Sequence, residues 1–123
     1  MYNYNSYHKV IIVIVGIIWV IFHFSQRSEE GLYFENGQVR RTGQVVKSLN
    51  EGIWTWYYKD GATHIKGNFV NGKREGVWKR FGRNGQLVTE CVYNDNKLNG
   101  VYVEYDSAGT IIKRVNYMND FPQ

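Results

Sequence analysis

The apolar residues divide the chain into two parts with different patterns. An uncharged run, VIIVIVGIIWVIFHF, extends from Val10 to Phe24. Its length is about 15 residues, or about 22 Å of helix, which is short of the ~20 residues of an ideal membrane span. Tyrosines precede the run, and aromatic residues settle at the headgroup level. We therefore expect a short transmembrane or signal-anchor helix at 10–26, behind an N-terminal tail at 1–9.

The processing and the orientation of this segment stay open. A cleaved signal peptide has a similar apolar length, but residues His23 to Gln26 fit a small-residue cleavage site poorly. The basic residues flanking the run would place the C-terminal part inside the cell. Lys9, directly before the run, instead resembles the flank of an uncleaved signal-anchor, which exports the C-terminal part. We favour a single-pass membrane protein whose C-terminal part is extracytoplasmic.

After residue 27 the sequence repeats itself every 24 residues, in units 28–51, 52–75, 76–99 and 100–123. In the middle of each unit a glycine follows Asn, Asp or Ala. An Asn-Gly or Asp-Gly pair between two apolar runs is a strong hairpin signal, because both residues tolerate positive φ. Each unit is therefore predicted to be a β-hairpin, turning at Gly37, Gly61, Gly85 and Gly109.

Turn-forming pairs also separate each hairpin from the next. They are Lys47-Ser48, Asn71-Gly72, Asp95-Asn96 and Asn119-Asp120. Consecutive hairpins joined by short turns predict an all-β antiparallel meander. Each first strand carries rings on both of its sides, and no helix is predicted to cover either side. We therefore expect a single-layer twisted sheet that is stabilised by cross-strand neighbours.

The loop length inside each hairpin decides which residues face each other. Two-residue loops would place a large ring opposite a smaller partner, in the pairs Trp54–Gly67, Trp78–Cys91 and Tyr102–Val115. A bulged turn would shift the pairing by one residue and move the partners to the other face. The sequence leaves both registers open.

The repeat resembles the MORN-type repeats, in their shorter bacterial variant with G-x-W-x-x-[YF]-x-x-x-G followed by N-G-x-x-x-G. The matching residues are Gly52, Trp54, Tyr57, Gly61, Asn71, Gly72, Gly76, Trp78, Phe81 and Gly85. The first unit departs from the pattern at Ser28 and Glu30, which indicates a cap or a linker. The resemblance implies no catalytic residues. It implies a binding role, either that of YwqK-family antitoxin or immunity proteins or that of a membrane-associated scaffold.

Composition argues against several other functions. Residues 28–123 hold 13 basic and 11 acidic residues, and such a balance does not predict nucleic-acid binding. Cys91 is the only cysteine and His64 the only histidine beyond the N-terminal segment, so no disulfide or metal site is predicted. Glu104 and Asp106 share a strand face, but no pocket is predicted to raise their pKa. We expect neither enzyme activity nor a cofactor.

Two sets of residues are candidates for binding. An aromatic stripe is predicted on one face of the sheet, and it is either a contact surface or the only available core. The predicted partner-binding residues on this face are Trp54, Trp56, Tyr58, Trp78, Arg80 and Tyr102. Lys73, Arg74 and Lys79 are candidates for headgroup contacts, although Lys79 and Arg80 must face opposite ways. We predict a membrane-anchored module that binds a protein partner, with a toxin as one class of partner. The alternative is an envelope scaffold that contacts lipid headgroups or cell wall.

Overall fold

The computed structural model describes residues 4–27 and 32–123, with side chains described for 7–22 and 32–123. The chain divides into two compact units, Met1–Leu32 and Tyr33–Gln123. Residues 1–3 of the predicted tail lie outside the described residues. So does the start of the predicted first repeat, including Ser28 and Glu30.

The first unit contains helix α1 (Tyr4–Arg27). No helix in the described part of the chain is long and apolar enough to cross a membrane. The predicted single-pass membrane localisation with an extracytoplasmic repeat domain is therefore wrong, and the transmembrane or signal-anchor role of residues 10–26 is not supported. The physical reason is length, because the uncharged run provides about 22 Å of helix against a hydrocarbon core of about 30 Å.

The second unit is an antiparallel sheet of nine strands, which confirms the predicted meander of hairpins. The strands are β1 (Arg41–Val46), β2 (Leu49–Tyr57), β3 (Thr63–Val70), β4 (Lys73–Phe81), β5 (Leu87–Asn94), β6 (Lys97–Leu98), β7 (Gly100–Tyr105), β8 (Ile111–Met118) and β9 (Phe121–Pro122). They lie in the order β1-β2-β3-β4-β5-β7-β8-β9, and the short β6 also pairs with β5. Tyr33 and Val39 form a single bridge before β1.

The turns between hairpins form where the sequence predicts them. Both turn residues are left-handed, with φ between 48° and 77°, in Lys47-Ser48, Asn71-Gly72, Asp95-Asn96 and Asn119-Asp120. Two consecutive left-handed residues make a type I′ turn, whose twist matches that of the flanking strands. These turns therefore join successive hairpins without splaying the sheet.

The turns inside the hairpins are one residue longer than two-residue loops. The Gly61 N–H donates to the Tyr58 carbonyl and the Tyr58 N–H donates to the Ala62 carbonyl. Only the glycine is left-handed, with φ 89°. Asp60 contributes its side chain instead, because its Oδ1 accepts a 3.0 Å hydrogen bond from the Ala62 N–H. A three-residue loop with a left-handed glycine forms a bulge at the hairpin end.

A second bulge restores the register. Trp56 pairs with Ile65 and Tyr57 pairs with Thr63, so His64 has no partner in β2. The loop shifts the pairing by one residue and the bulge at His64 shifts it back. Of the two registers that the sequence left open, the structure has the one with the pairs Trp54–Gly67, Trp78–Cys91 and Tyr102–Val115, although the loops are not the two-residue loops from which that register was expected.

The buried hydrophobic side chains of the described sheet are Trp54, Trp78, Cys91 and Val103, and both tryptophans pack on glycines. Trp54 and Trp78 are 3% and 8% exposed. A β-carbon at Gly43 would overlap the Trp54 indole, and one at Gly67 would overlap the Trp78 indole. Each indole N–H also donates a 3.2 Å hydrogen bond to a carbonyl one strand back, on Gln44 or Asn68. Each tryptophan thereby links its own hairpin to the preceding one.

Candidate functional site

One side of the sheet, here called the aromatic face, carries both buried tryptophans and a continuous row of rings. Neighbouring ring centroids in this row lie 5.1 to 6.3 Å apart. The rings belong to Trp54, Trp56, Phe69, Trp78 and Tyr93. Tyr102 and Tyr117 form a further pair, 6.1 Å apart, across β7 and β8.

The predicted partner-binding residues differ in their accessibility. Trp54 and Trp78 are buried, so the structure uses these two rings as core. Trp56, Tyr58 and Tyr102 are half-buried, and Arg80 is exposed. These four are therefore more accessible to a partner than the two tryptophans.

A cleft of about 300 Å³ opens on the aromatic face. Trp78, Thr89 and Cys91, all buried, form its deeper part. Its other lining residues include Ile65, Arg74, Arg80, Tyr93 and Tyr102. The cleft thus brings Trp78, Arg80 and Tyr102 together with residues of three consecutive predicted units. Its volume lies at the lower end of the range for ligand sites.

Arg80 is held along the sheet by a neighbouring hydroxyl group. It pairs with Thr89 of β5, and its Nη2 donates a 2.8 Å hydrogen bond to the Thr89 Oγ1. Thr89 is 7% exposed. The hydrogen bond satisfies a buried hydroxyl and fixes a guanidinium group beside the cleft, with other N–H donors remaining on that group.

Arg74 lines the cleft from the other end of β4. Its guanidinium carbon lies 4.0 Å from the centre of the Tyr93 ring, a cation–π contact. Its Nε donates a 2.7 Å hydrogen bond to the Asn96 Oδ1, and its Nη2 donates to the Asn96 carbonyl at 3.2 Å. Arg74 is therefore anchored by a ring and by an amide.

The phenol and thiol groups of the cleft are held in their neutral forms. Burial raises the pKa of the Cys91 thiol and, more than any other cause, the pKa of Tyr93. Burial is also the largest cause of the raised pKa of Tyr102, whose hydroxyl donates a 2.7 Å hydrogen bond to Glu104. These phenol and thiol groups therefore carry no negative charge that would offset the positive charges of the basic side chains at this cleft.

The three basic residues considered for headgroup contact do not form one surface. Lys73 makes a 2.8 Å ion pair with Asp95, and Lys79 makes a 3.2 Å ion pair with Glu90. Arg74 instead stacks on its ring. Because strand residues alternate sides, Lys73 and Lys79 belong to the side opposite Arg74. The structure therefore disperses these charges.

The remaining candidate groups have structural partners. Asp106 accepts hydrogen bonds from the Ala108 and Thr110 N–H groups and so closes the last hairpin turn. The His64 ring stacks on Tyr58 with 4.3 Å between centroids. Burial, and secondly the charge of Arg80, lower the pKa of His64. No cluster of His, Cys, Asp or Glu suited to a metal ion occurs among residues 4–27 and 32–123.

Sequence reasoning missed Ile65, Thr89, Cys91 and Tyr93 as residues lining a cleft. Cys91 and Tyr93 occupy places that recur in every unit, and the pairing of Cys91 with Trp78, in one of the two registers that the sequence left open, was a usable signal. Thr89 gave none, because its burial depends on β7, a strand of the next unit, which supplies its partner Glu104.

Comparison with known families finds the repeat in three copies. The model of the MORN repeat variant matches residues 50–71, 74–95 and 98–119. Successive matches are spaced by the 24-residue period, and together they cover more than half of the chain. The predicted first unit, 28–51, has no match of its own. No curated protein matches the chain significantly.

Proposed function

The chain belongs to the MORN repeat variant family, and from this premise we propose that it is a non-enzymatic binding module whose aromatic face holds a protein partner. MORN repeats are generally modules that bind proteins or membranes. The observation that carries the proposal is the cleft on the aromatic face, which lies among half-buried rings and beside the exposed Arg80. Trp, Tyr and Arg are enriched among the few residues that dominate the binding energy at protein interfaces.

The geometry supports contact through residues of several repeats at once. Trp78 and Arg80 come from the third predicted unit and Tyr102 from the fourth, while Ile65 and Arg74 come from the second. A partner seated in the cleft would contact all three units. Trp78 lies on β4 and packs on β3, so it holds together the two strands that carry Ile65, Arg74 and Arg80.

We further propose a toxin as the class of partner. The support is the resemblance of the repeat to antitoxin or immunity proteins, a family-level analogy. A scaffold role has less support, because Lys73 and Lys79 are already ion-paired within the chain.

Site-specific photocross-linking in living cells tests the use of the aromatic face. A photoreactive residue at Ile65 of the full chain, which lines the cleft, is compared with one at Lys66, which is exposed and lies on the opposite side of the sheet. We expect a discrete cross-linked protein from position 65 and none from position 66. The Trp56→Ala substitution should weaken the product at position 65. Equal products from both positions would contradict the proposal.

Identifying the cross-linked protein by mass spectrometry tests the toxin proposal. Expressed alone, that protein should arrest growth, and co-expression of the full chain should restore it. A partner that is harmless on its own would overturn the toxin proposal while leaving the binding role intact.

A further inference from the structure

The arginines and the lysines of the sheet differ in their ion pairing. In the described part of the chain every ion pair uses a lysine: Lys73–Asp95, Lys79–Glu90 and Lys113–Glu104. Lys113 also lies over the Tyr102 ring. Four arginines lie over rings: Arg40 on Phe34, Arg41 on Trp54, Arg74 on Tyr93 and Arg83 on Tyr58. Among the described residues, no arginine forms an ion pair with a carboxylate.

Arg74 and Arg80 border the same cleft. Both lie on β4 with the buried Trp78 between them, and both line the 300 Å³ space. Their partners are an amide, a ring and a hydroxyl group, all of them neutral. The guanidinium charges are therefore not compensated by these contacts.

The nearby carboxylate of Glu104 is engaged by other groups. It accepts the 2.7 Å hydrogen bond from Tyr102 and lies 3.8 Å from the Lys113 Nζ. Among the described residues it forms no ion pair with Arg74 or Arg80. The cleft combines two guanidinium groups with the rings of Tyr93 and Tyr102, and so complements a ligand that is both anionic and apolar.

Building on the proposed function, we propose that the cleft recognises an acidic peptide segment of the partner. A carboxylate binds Arg80, and an apolar or aromatic side chain packs against Tyr93 and Tyr102. The guanidinium group matches a carboxylate through two parallel N–H donors, which the ammonium group of a lysine does not provide. The rings contribute contact area beside the charged group and hold it partly away from water.

Fluorescence anisotropy with the full chain tests the proposal. The probe is fluorescein-labelled Glu-Glu-Tyr-Glu-Glu, and the control peptide is Gln-Gln-Tyr-Gln-Gln, at about 0.15 M salt. Because hydrogen bonds to charged groups are stronger than neutral ones, we expect about tenfold tighter binding of the acidic peptide. Equal binding of the two peptides, or no binding of either, would overturn the proposal.

Matched variants locate the binding. Arg80→Gln should weaken binding of the acidic peptide about tenfold and should have little effect on binding of the glutamine peptide. Arg80→Lys keeps the charge and should recover only part of the loss. Arg114→Gln removes an exposed arginine from β8, on the opposite side of the sheet, and should change nothing. If Arg114→Gln weakened binding as much as Arg80→Gln, the interaction would be general electrostatic attraction.

Two competing anions complete the test. A single-stranded oligonucleotide of matched charge, or vesicles containing an anionic phospholipid, should not displace the peptide at equal charge concentration. Displacement by either would overturn the preference for an acidic peptide. Cross-linking at position 65, which leaves Arg80 in place, would still succeed in that case, so the failure of this inference is distinguishable from failure of the proposed function.

Discussion

The second and third hairpins of the sheet differ from the last one in how they contact the hairpin before them. Trp54 and Trp78 each pack on a glycine and donate to a carbonyl one strand back. In the last hairpin Tyr102 takes the tryptophan's place, and its hydroxyl donates to Glu104 of its own strand. Neighbouring hairpins are therefore joined by a specific contact in the middle of the sheet and by a less specific contact at its end.

The difference explains the position of the cleft. Gly43 and Gly67 have no side chain, so an indole fills the space above each of them. Cys91 holds the corresponding place under the last hairpin, and the smaller ring of Tyr102 leaves the space near it open. The boundary between the third and the last hairpin, where the contact is weaker, is thus the one that has room for a ligand. We expect the last hairpin to open more readily than the middle of the sheet.

Removing the rings should give the largest difference between the two regions. Trp78→Ala deletes a buried ring and should lower the free energy of unfolding by about 4 kcal/mol. Tyr102→Ala deletes a half-buried ring and should cost about 2 kcal/mol. Urea denaturation of the full chain, followed by circular dichroism, measures both values. Equal losses would show that the two contacts are equivalent.

Adding a single methyl group tests the contact from the glycine side. Gly67→Ala places a β-carbon where the Trp78 indole lies, so either the ring or the strand must move. We expect a loss of about 3 kcal/mol. The matched control is Cys91→Ala, at the equivalent place, with an expected loss of about 1 kcal/mol. A loss in Gly67→Ala no larger than in the control would contradict the proposed contact.

A double substitution can transplant the middle contact into the last hairpin. Tyr102→Trp alone should be unfavourable, because the side chain of Cys91 occupies the space that the larger ring requires. Combined with Cys91→Gly it should show a favourable coupling of about 1 kcal/mol. In the double variant the larger ring should also fill the cleft and thereby weaken binding of the acidic peptide. Additive effects of the two substitutions would indicate that the residues do not share this space.

The smallest expected effect is on the pH dependence of stability, and it depends on His64 in the second hairpin. Burial and Arg80 lower the pKa of His64 below its usual 6.5, so the unfolded chain takes up the proton first as the pH falls. Stability should therefore decrease as the pH falls through 6.5 towards the lower pKa of the folded chain. The urea midpoint, compared at about pH 7.5 and about pH 5.5, should shift less in His64→Gln. An unchanged shift in this variant would assign the pH dependence to other groups.

The sequence was most informative where the structure is local. A turn depends on a few adjacent residues, and the pairs from Lys47-Ser48 to Asn119-Asp120 turn where they were predicted to. The sequence left the register of Trp78 open, and its pairing with Cys91 depends on two compensating bulges that only the structure reveals. The single-pass membrane prediction failed because the uncharged run is shorter than the helix that contains it, and the run alone is too short to cross a membrane.

The sequence alone determined the 24-residue period, the turns and the antiparallel hairpins, because each of these follows from the conformational preferences of neighbouring residues. Only the tertiary structure decided which rings are core and which are accessible. Burial of Trp54 and Trp78 depends on glycines in the preceding hairpin. The cleft depends on side chains that three units bring together. Such contacts are set by packing between strands, and packing is a property of the assembled sheet.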